Sequence, residues 1–271
     1  MDIVLQALIM GIIQGLTEFL PVSSSAHLIL ARAFFGWEMP AEFGLAFDVA
    51  LHVGTLAAIL AFFRVEILNM ARALPGVLKA EPDPSAMLIR LIVIGTLPVV
   101  VVALVFNDLI EDVLRTPAVA AGALAVGACL MLVAERLGPR TRAENSLTWV
   151  DALLIGCAQA SALVPGMSRS GSTIAIGMFL GVRRDAAARF TFLLAIPAML
   201  AAAAKEAIEL TQMPLSGASG SLLAAGMLVS ALTGYVTIKY FLRFLAGNKL
   251  DVFAAYRLLL AAATVVWLLR Q

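Results

Sequence analysis

Two stretches carry groups that can hold or move charge, although the sequence around them is strongly apolar. They are Gln14-Gly15-Leu16-Thr17-Glu18-Phe19-Leu20-Pro21-Val22-Ser23-Ser24-Ser25-Ala26-His27 and Pro165-Gly166-Met167-Ser168-Arg169-Ser170-Gly171-Ser172-Thr173. In the first, Glu18 follows Gln14 by four residues, so both lie on one helical face. Ser24 and His27 are three apart and share a face of a short helix. A hydroxyl, an imidazole and a carboxylate are the set that nucleophilic catalysis uses: nucleophile, base and orienting group. In the second, Arg169 sits among hydroxyls and Gly171 at the start of a short helix. Amides at a helix start, close approach at glycine, hydroxyl donors and a guanidinium fork make an anion site that suits phosphate.

Each group also has an ordinary reading. Arg169 would be a boundary arginine with its neighbouring serines as caps. His27 would bond a backbone carbonyl, and Glu18 would lie at the interface. Burial costs weigh against these readings, because ionisable groups inside apolar segments are expensive. The two stretches are therefore expected to meet in a bilayer as one phosphate-handling site. Ser24, His27 and Glu18 form its reacting set. Arg169, Ser168, Ser170, Thr173, Ser23, Ser25 and Gln14 hold the anion. Asp48 and His52, at i and i+4, are a lesser candidate that lines the same cavity or pairs internally.

Composition sets the solvent. The 271 residues are 62% hydrophobic and 14% charged, against about 45–50% apolar and about 25% charged in soluble domains. Apolar runs long enough to span a membrane recur. A net charge of +1 argues against nucleic acid or another polyanion as partner. The first residues lack the basic region of a signal peptide, so the chain is expected to be retained from Met1. Cys129 and Cys157 read as inert buried thiols. With only His27 and His52 as histidines, no zinc-type cluster can be assembled from the sequence.

The elements that must position the site follow. Residues 3–20 read as a helix stopped by Pro21. Ser23, Ser24 and Ser25 can cap a second short helix over 25–35, ended by Gly36. Neither piece is a clean span, so a re-entrant helix–loop–helix fits better. Spans follow at about 44–63, 88–106 and 118–135. The second half repeats the plan, with an apolar stretch over 149–164, the Ser-rich loop, a short helix over 172–182, and spans at about 187–204, 221–242 and 252–269.

By the positive-inside rule, the loops carrying Arg64, Arg72, Lys79 and Arg90, then Arg136, Arg140 and Arg142, are cytoplasmic. So are Arg183 and Arg184, and then Lys239, Arg243 and Lys249. The acidic loop with Asp108, Glu111 and Asp112, the loop 205–220 and both termini fall outside. Pro98 and Pro197 are expected to kink their spans. Glu135 is expected to pair with Arg136 or the loop after it.

Residues 7–14 (ALIMGIIQ) line up with 152–159 (ALLIGCAQ), and each is followed by a proline and a Ser-rich loop. Three spans per half, an odd number, invert one half relative to the other, and inverted repeats with broken helices at a central site are best attested in transporters. The expected architecture is an all-α integral membrane protein, a single membrane domain over 1–271. Six transmembrane helices and two re-entrant helix–loop–helix elements form two inverted-topology repeats, 1–142 and 149–271.

On these two motifs the chain resembles the BacA/UppP family of undecaprenyl-diphosphate phosphatases, over essentially its full length. The resemblance implies hydrolysis of undecaprenyl diphosphate to undecaprenyl phosphate. It further implies return of the carrier lipid to cell-wall synthesis, lower sensitivity to bacitracin, and a location in the bacterial cytoplasmic membrane with the site open toward the periplasm. Carried over by position, Glu18, Ser24, His27, Ser168 and Arg169 match the family's active-site residues. Gln14 stands where many members have Glu. It cannot act as a base, so any role that demands a carboxylate there falls on Glu18.

In the expected mechanism Arg169, Ser168 and Ser170 clamp the diphosphate while Ser24 attacks the terminal phosphorus. His27 takes the proton, and Glu18 orients His27 or helps activate water. His27 as nucleophile and direct attack by water remain open. A divalent cation, Mg²⁺ or Ca²⁺, fits between Glu18 and the diphosphate. The partners are the polyprenyl diphosphate lipid and the bilayer, with a homodimer left open. The rival class is a polyprenyl-phosphate transporter or flippase built around the same midplane site; an ion channel is disfavoured because no ring-forming charge pattern is present.

Overall fold

In the computed structural model, residues 3–37, 41–79, 83–106, 109–210 and 217–271 are described. They are helical throughout, with no strand and one isolated bridge between Arg142 and Val182. The elements are α1 (Ile3–Thr17), α2 (Ser24–Phe35), α3 (Ala41–Phe62), α4 (Arg64–Ala73), α5 (Pro84–Val105), α6 (Pro117–Leu137), α7 (Trp149–Ser161), α8 (Arg169–Phe179), α9 (Arg184–Leu210), α10 (Gly217–Leu245) and α11 (Asp251–Leu268).

Five of these helices, α5, α6, α9, α10 and α11, contain stretches long and apolar enough to cross a membrane. A sixth span results if α3 is counted with α4, which turns away from it by 74°. That turn falls at Phe63, fully buried against Phe192. Residues 64–73, expected as part of a basic loop, form α4 instead. At 1.5 Å per residue α1 is about 22 Å long and α8 about 17 Å. Both are shorter than the roughly 30 Å hydrocarbon core, so α1, α2, α7 and α8 do not span it singly.

Small residues set the packing. A methyl group on Gly11 would meet the Gly226 carbonyl of α10 at 2.8 Å, and one on Gly95 would meet the Ala152 carbonyl of α7 at 2.9 Å. Thus α1 lies close on α10, and α7 on α5. This is how membrane helices associate when burial of apolar surface offers no net drive. The main core gathers around α8 and α9, where Phe19 enters from the first loop and meets the Phe192 ring edge-on, 5.6 Å between centroids. Helices α5 and α9 each continue through their internal proline, Pro98 and Pro197.

One end of the molecule is tied by ion pairs. Glu135 takes Arg140 at 2.8 Å, Arg184, and the Leu250 amide at 2.8 Å. Of the two expected partners, the loop after it supplies Arg140, while Arg136 donates to the Leu132 carbonyl. Arg142 holds Asp151 at 2.7 Å, and Arg189 bridges Glu66 and Glu144. Cys129 and Cys157 are free thiols on exposed helix surface, not buried ones. Apolar sequence alone does not separate a core-facing position from an outward-facing one. Asp108, and residues 211–216 of the loop 205–220, lie outside the described residues, as do the side chains of Glu111 and Asp112.

Candidate active site

The two loops meet, and their backbone explains why. A chain that turns inside a membrane leaves amides and carbonyls that neither helix nor water satisfies. Here each loop supplies the other. The Gly166 amide donates to Ser23 Oγ at 3.2 Å, and Ser170 Oγ donates to the Leu20 carbonyl at 3.0 Å. Ser23 and Ser168 are the N-caps of α2 and α8, accepting from the amides of Ala26 and Gly171. Both sit in a left-handed backbone rarely used by residues other than glycine, with φ 73° and 67°. Such strain, of order 1–3 kcal/mol each, persists where surroundings over-determine it.

The strongest of those surroundings is Arg257, which is absent from the site expected on sequence. Its side chain is fully buried and, among the described residues, has no carboxylate partner. It donates to carbonyls of both loops: Pro21 at 3.3 Å, Gly166 at 2.8 Å and Met167 at 3.1 Å, besides Ala123 and Leu124 of α6. The space for its guanidinium is left by Gly127 and Gly171, where a side chain would collide with it. A lone arginine within the span 252–269 is the signal that could have found it, since such a residue is costly unless it has a task.

The reacting groups line up differently from the expectation. Ser24 Oγ donates to Glu18 Oε2 at 2.6 Å, not to His27. The same carboxylate accepts from Gln14 Nε2 at 3.1 Å, and its other oxygen accepts from Arg169 Nη2 at 2.5 Å. One carboxylate thus joins α1, α2 and α8. His27 bonds the Ser23 carbonyl through Nδ1 and the Tyr256 hydroxyl through Nε2, both at 2.7 Å. No sequence signal marks Tyr256.

The anion-holding set divides. Arg169 and Ser24 are partly accessible. Ser168 and Ser170 are buried as cap and stitch, sharing a 3.3 Å contact. Ser25 faces Ser23 at 3.2 Å. Thr173 donates back to the Arg169 carbonyl and accepts from Thr191 of α9, so it braces α8 from behind. Asp48 is gripped twice by Arg32, and His52 Nδ1 bonds the Asp48 carbonyl. The side chains of Asp48 and His52 therefore do not pair.

For a cation, the described residues hold no cluster of three His, Cys, Asp or Glu side chains. Beside Glu18, the buried Gln14 Oε1 has no hydrogen-bond partner among the described residues. That suits a cation carried largely by substrate oxygens better than a protein cage.

Comparison with known proteins places the whole chain in one family. The family described as "Bacitracin resistance protein BacA" matches residues 7–263. An undecaprenyl-diphosphatase of Rubrobacter xylanophilus is 42% identical over 98% of both chains. One from Nitrosococcus oceani is 44% identical over 94% of this chain and 95% of its own. Undecaprenyl-diphosphatase 2 of Stutzerimonas stutzeri is 42% identical over 98% of both. With the match running through both loops and nearly every helix, the chain belongs to the BacA bacitracin resistance family.

Proposed function

We propose that this chain hydrolyses undecaprenyl diphosphate to undecaprenyl phosphate and inorganic phosphate, recycling the carrier lipid and lowering bacitracin sensitivity. The observation that carries this reading is the junction of Ser24, Glu18 and Arg169, drawn from two loops far apart in sequence. A hydroxyl at 2.6 Å from a buried carboxylate is in range for proton transfer. Ser24 Oγ attacks the terminal phosphorus as Glu18 Oε2 takes its proton. The bond from that phosphorus to the bridging oxygen breaks, and undecaprenyl phosphate leaves.

Arg169 moves from Glu18 to the diphosphate, offsetting charge on the transferring group. The starts of α2 and α8 present amides to the same anion. Water then releases phosphate from Ser24. Mg²⁺ or Ca²⁺ held by Glu18, Gln14 Oε1 and the diphosphate would neutralise charge on the phosphoryl oxygens. His27 as nucleophile and direct attack by water are the competing routes.

The larger architecture is part of the proposal. Residues 1–142 and 149–271 form inverted repeats in one membrane domain, with α1–α2 and α7–α8 as re-entrant elements. Gln14 and Gln159, and the caps Ser23 and Ser168, fall at one common offset with nearly equal cap dihedrals. The packing of α1 on α10 and α7 on α5 is the exchange such a repeat requires. The ion pairs joining Glu66, Glu144 and Arg189 gather the basic loops at one end, supporting a single orientation with that end cytoplasmic. The protein then lies in the cytoplasmic membrane with its site open to the periplasm. A homodimer is a separate question that mass measurement in detergent answers.

The test is phosphate release from undecaprenyl diphosphate by the purified protein in detergent, with and without Mg²⁺ or Ca²⁺. Release that collapses in Ser24→Ala and Arg169→Ala, with both proteins folded, supports the assignment. Survival in Ser24→Ala alone moves the attack to His27 or water. No release from the wild type turns the reading toward the lipid transporter.

A further inference from the structure

The imidazole of His27 is held at both nitrogens, and only one partner has a fixed role. The Ser23 carbonyl can only accept, so Nδ1, 2.7 Å away, carries a hydrogen. In the neutral ring Nε2 is then a bare acceptor, and the group 2.7 Å from it is the Tyr256 hydroxyl. That hydroxyl donates. The two rings lie nearly parallel, 7° apart in plane with centroids at 5.6 Å. Tyr256 is held in register from behind, because its neighbour Arg257 is locked into the carbonyls of both loops.

We propose that Tyr256 is a positioning residue that orients the His27 ring and occupies its only basic nitrogen in the resting enzyme, while the Ser23 carbonyl sets the Nδ1–H tautomer. This rests on the hydrolase reading for its catalytic consequence, not for its structural content. His27 then cannot take the Ser24 proton without first losing Tyr256, which leaves Glu18 as the base for attack. The hydrogen bond also ties the Ser23 carbonyl, through the imidazole, to α11. The strained cap that aims Ser24 is thereby braced from the far side.

A proton arriving at Nε2 reverses the bond. The Nε2–H then donates to the Tyr256 oxygen, whose own hydrogen turns away from the ring nitrogen.

Two histidines in the chain make the test direct. ¹⁵N-histidine NMR of the full-length protein in detergent, at a pH where imidazole is neutral and with His52→Gln to assign the signals, reads the tautomer without turnover. The expected result is the Nδ1–H form in both the parent and Tyr256→Phe, with the Nε2 resonance of the variant moved downfield toward that of an imidazole nitrogen without a donor. In the same variant kcat should fall on the order of tenfold with KM within about twofold, the split expected of lost orientation rather than lost binding. An Nε2–H form in the parent, or an Nε2 shift unchanged in Tyr256→Phe, overturns the proposal whatever the rate does. A protein that released no phosphate would sink the hydrolase reading alone, and the nitrogen spectrum would still decide the place of Tyr256.

Discussion

The two loops share a frame and differ in what it carries. Each follows a short helix containing a buried glutamine, Gln14 or Gln159, and each ends on a serine cap at positive φ. After the cap, the first loop presents a hydroxyl, Ser24, and the second a guanidinium, Arg169. The residue three further on is His27 in one and Ser172 in the other. Ser172 is buried and turned back to the Met167 carbonyl. Glu18 has only the apolar region around Leu163 as its counterpart. The same backbone device therefore supports opposite charges, and the Glu18–Arg169 pair is the joint between them. A site of this kind separates the group that attacks from the group that stabilises charge, while a shared brace, Arg257, keeps their spacing.

On that division of labour, the largest effect belongs to the attacking side. Ser24→Ala should lower phosphate release on the order of 10³-fold, as loss of a nucleophile acting in a unit does. Circular dichroism and thermal melting should stay near the parent, because the Ser24 hydroxyl bonds to Glu18 and braces no helix from behind. A loss below about tenfold would place the chemistry elsewhere.

That side of the molecule is the legible one. Polar residues inside apolar sequence cannot be accidental at their burial cost, so Glu18, Ser24, His27 and Arg169 stand out from sequence alone. The pairing among them does not. Sequence spacing puts Ser24 with His27, but α1 and α2 fold back so that Glu18, six residues before Ser24, reaches it first. Asp48 meets Arg32 for the same reason, since contacts across a turn between helices leave no periodic trace. Hydropathy locates the spans to within a few residues, because it reports the solvent. It does not report the face, and so the expectation of buried thiols fails at Cys129 and Cys157. Arg257 is visible as a cation in an apolar run, but among the described residues it has no acidic partner to give it away. Its partners are carbonyls, which every residue has.

The next effect tests the brace. Arg257→Met should cost about 3 kcal/mol of stability, because the Pro21, Gly166 and Met167 carbonyls lose a buried donor. A lowered melting temperature in detergent with parent-like specific activity in the folded fraction would show that Arg257 holds the frame and nothing more. A normal melt with lost activity would instead make it part of the anion site.

On the stabilising side, Arg169→Lys keeps the charge but loses the fork that reaches both Glu18 and a phosphate. Release should fall roughly 10²-fold, with the fold intact. Arg169→Lys at parental activity would mean that the guanidinium is a structural partner of Glu18 only.

The smallest effect separates the caps themselves. Glycine adopts φ near 70° without strain, and replacing a serine cap by glycine costs only a few tenths of a kcal/mol. At Ser168 the loss of the cap and the relief of strain nearly cancel, so Ser168→Gly should melt within about 0.5 kcal/mol of the parent. Ser23→Gly removes the same cap and the same strain, but it also leaves the buried Gly166 amide without its acceptor. That adds about 1–2 kcal/mol. The difference between the two variants, measured by the same melt, isolates the one stitch that the first loop gives the second. Equal stabilities would mean that the loops are held together by Arg257 and Ser170 alone, and that the symmetry of their caps has no energetic consequence.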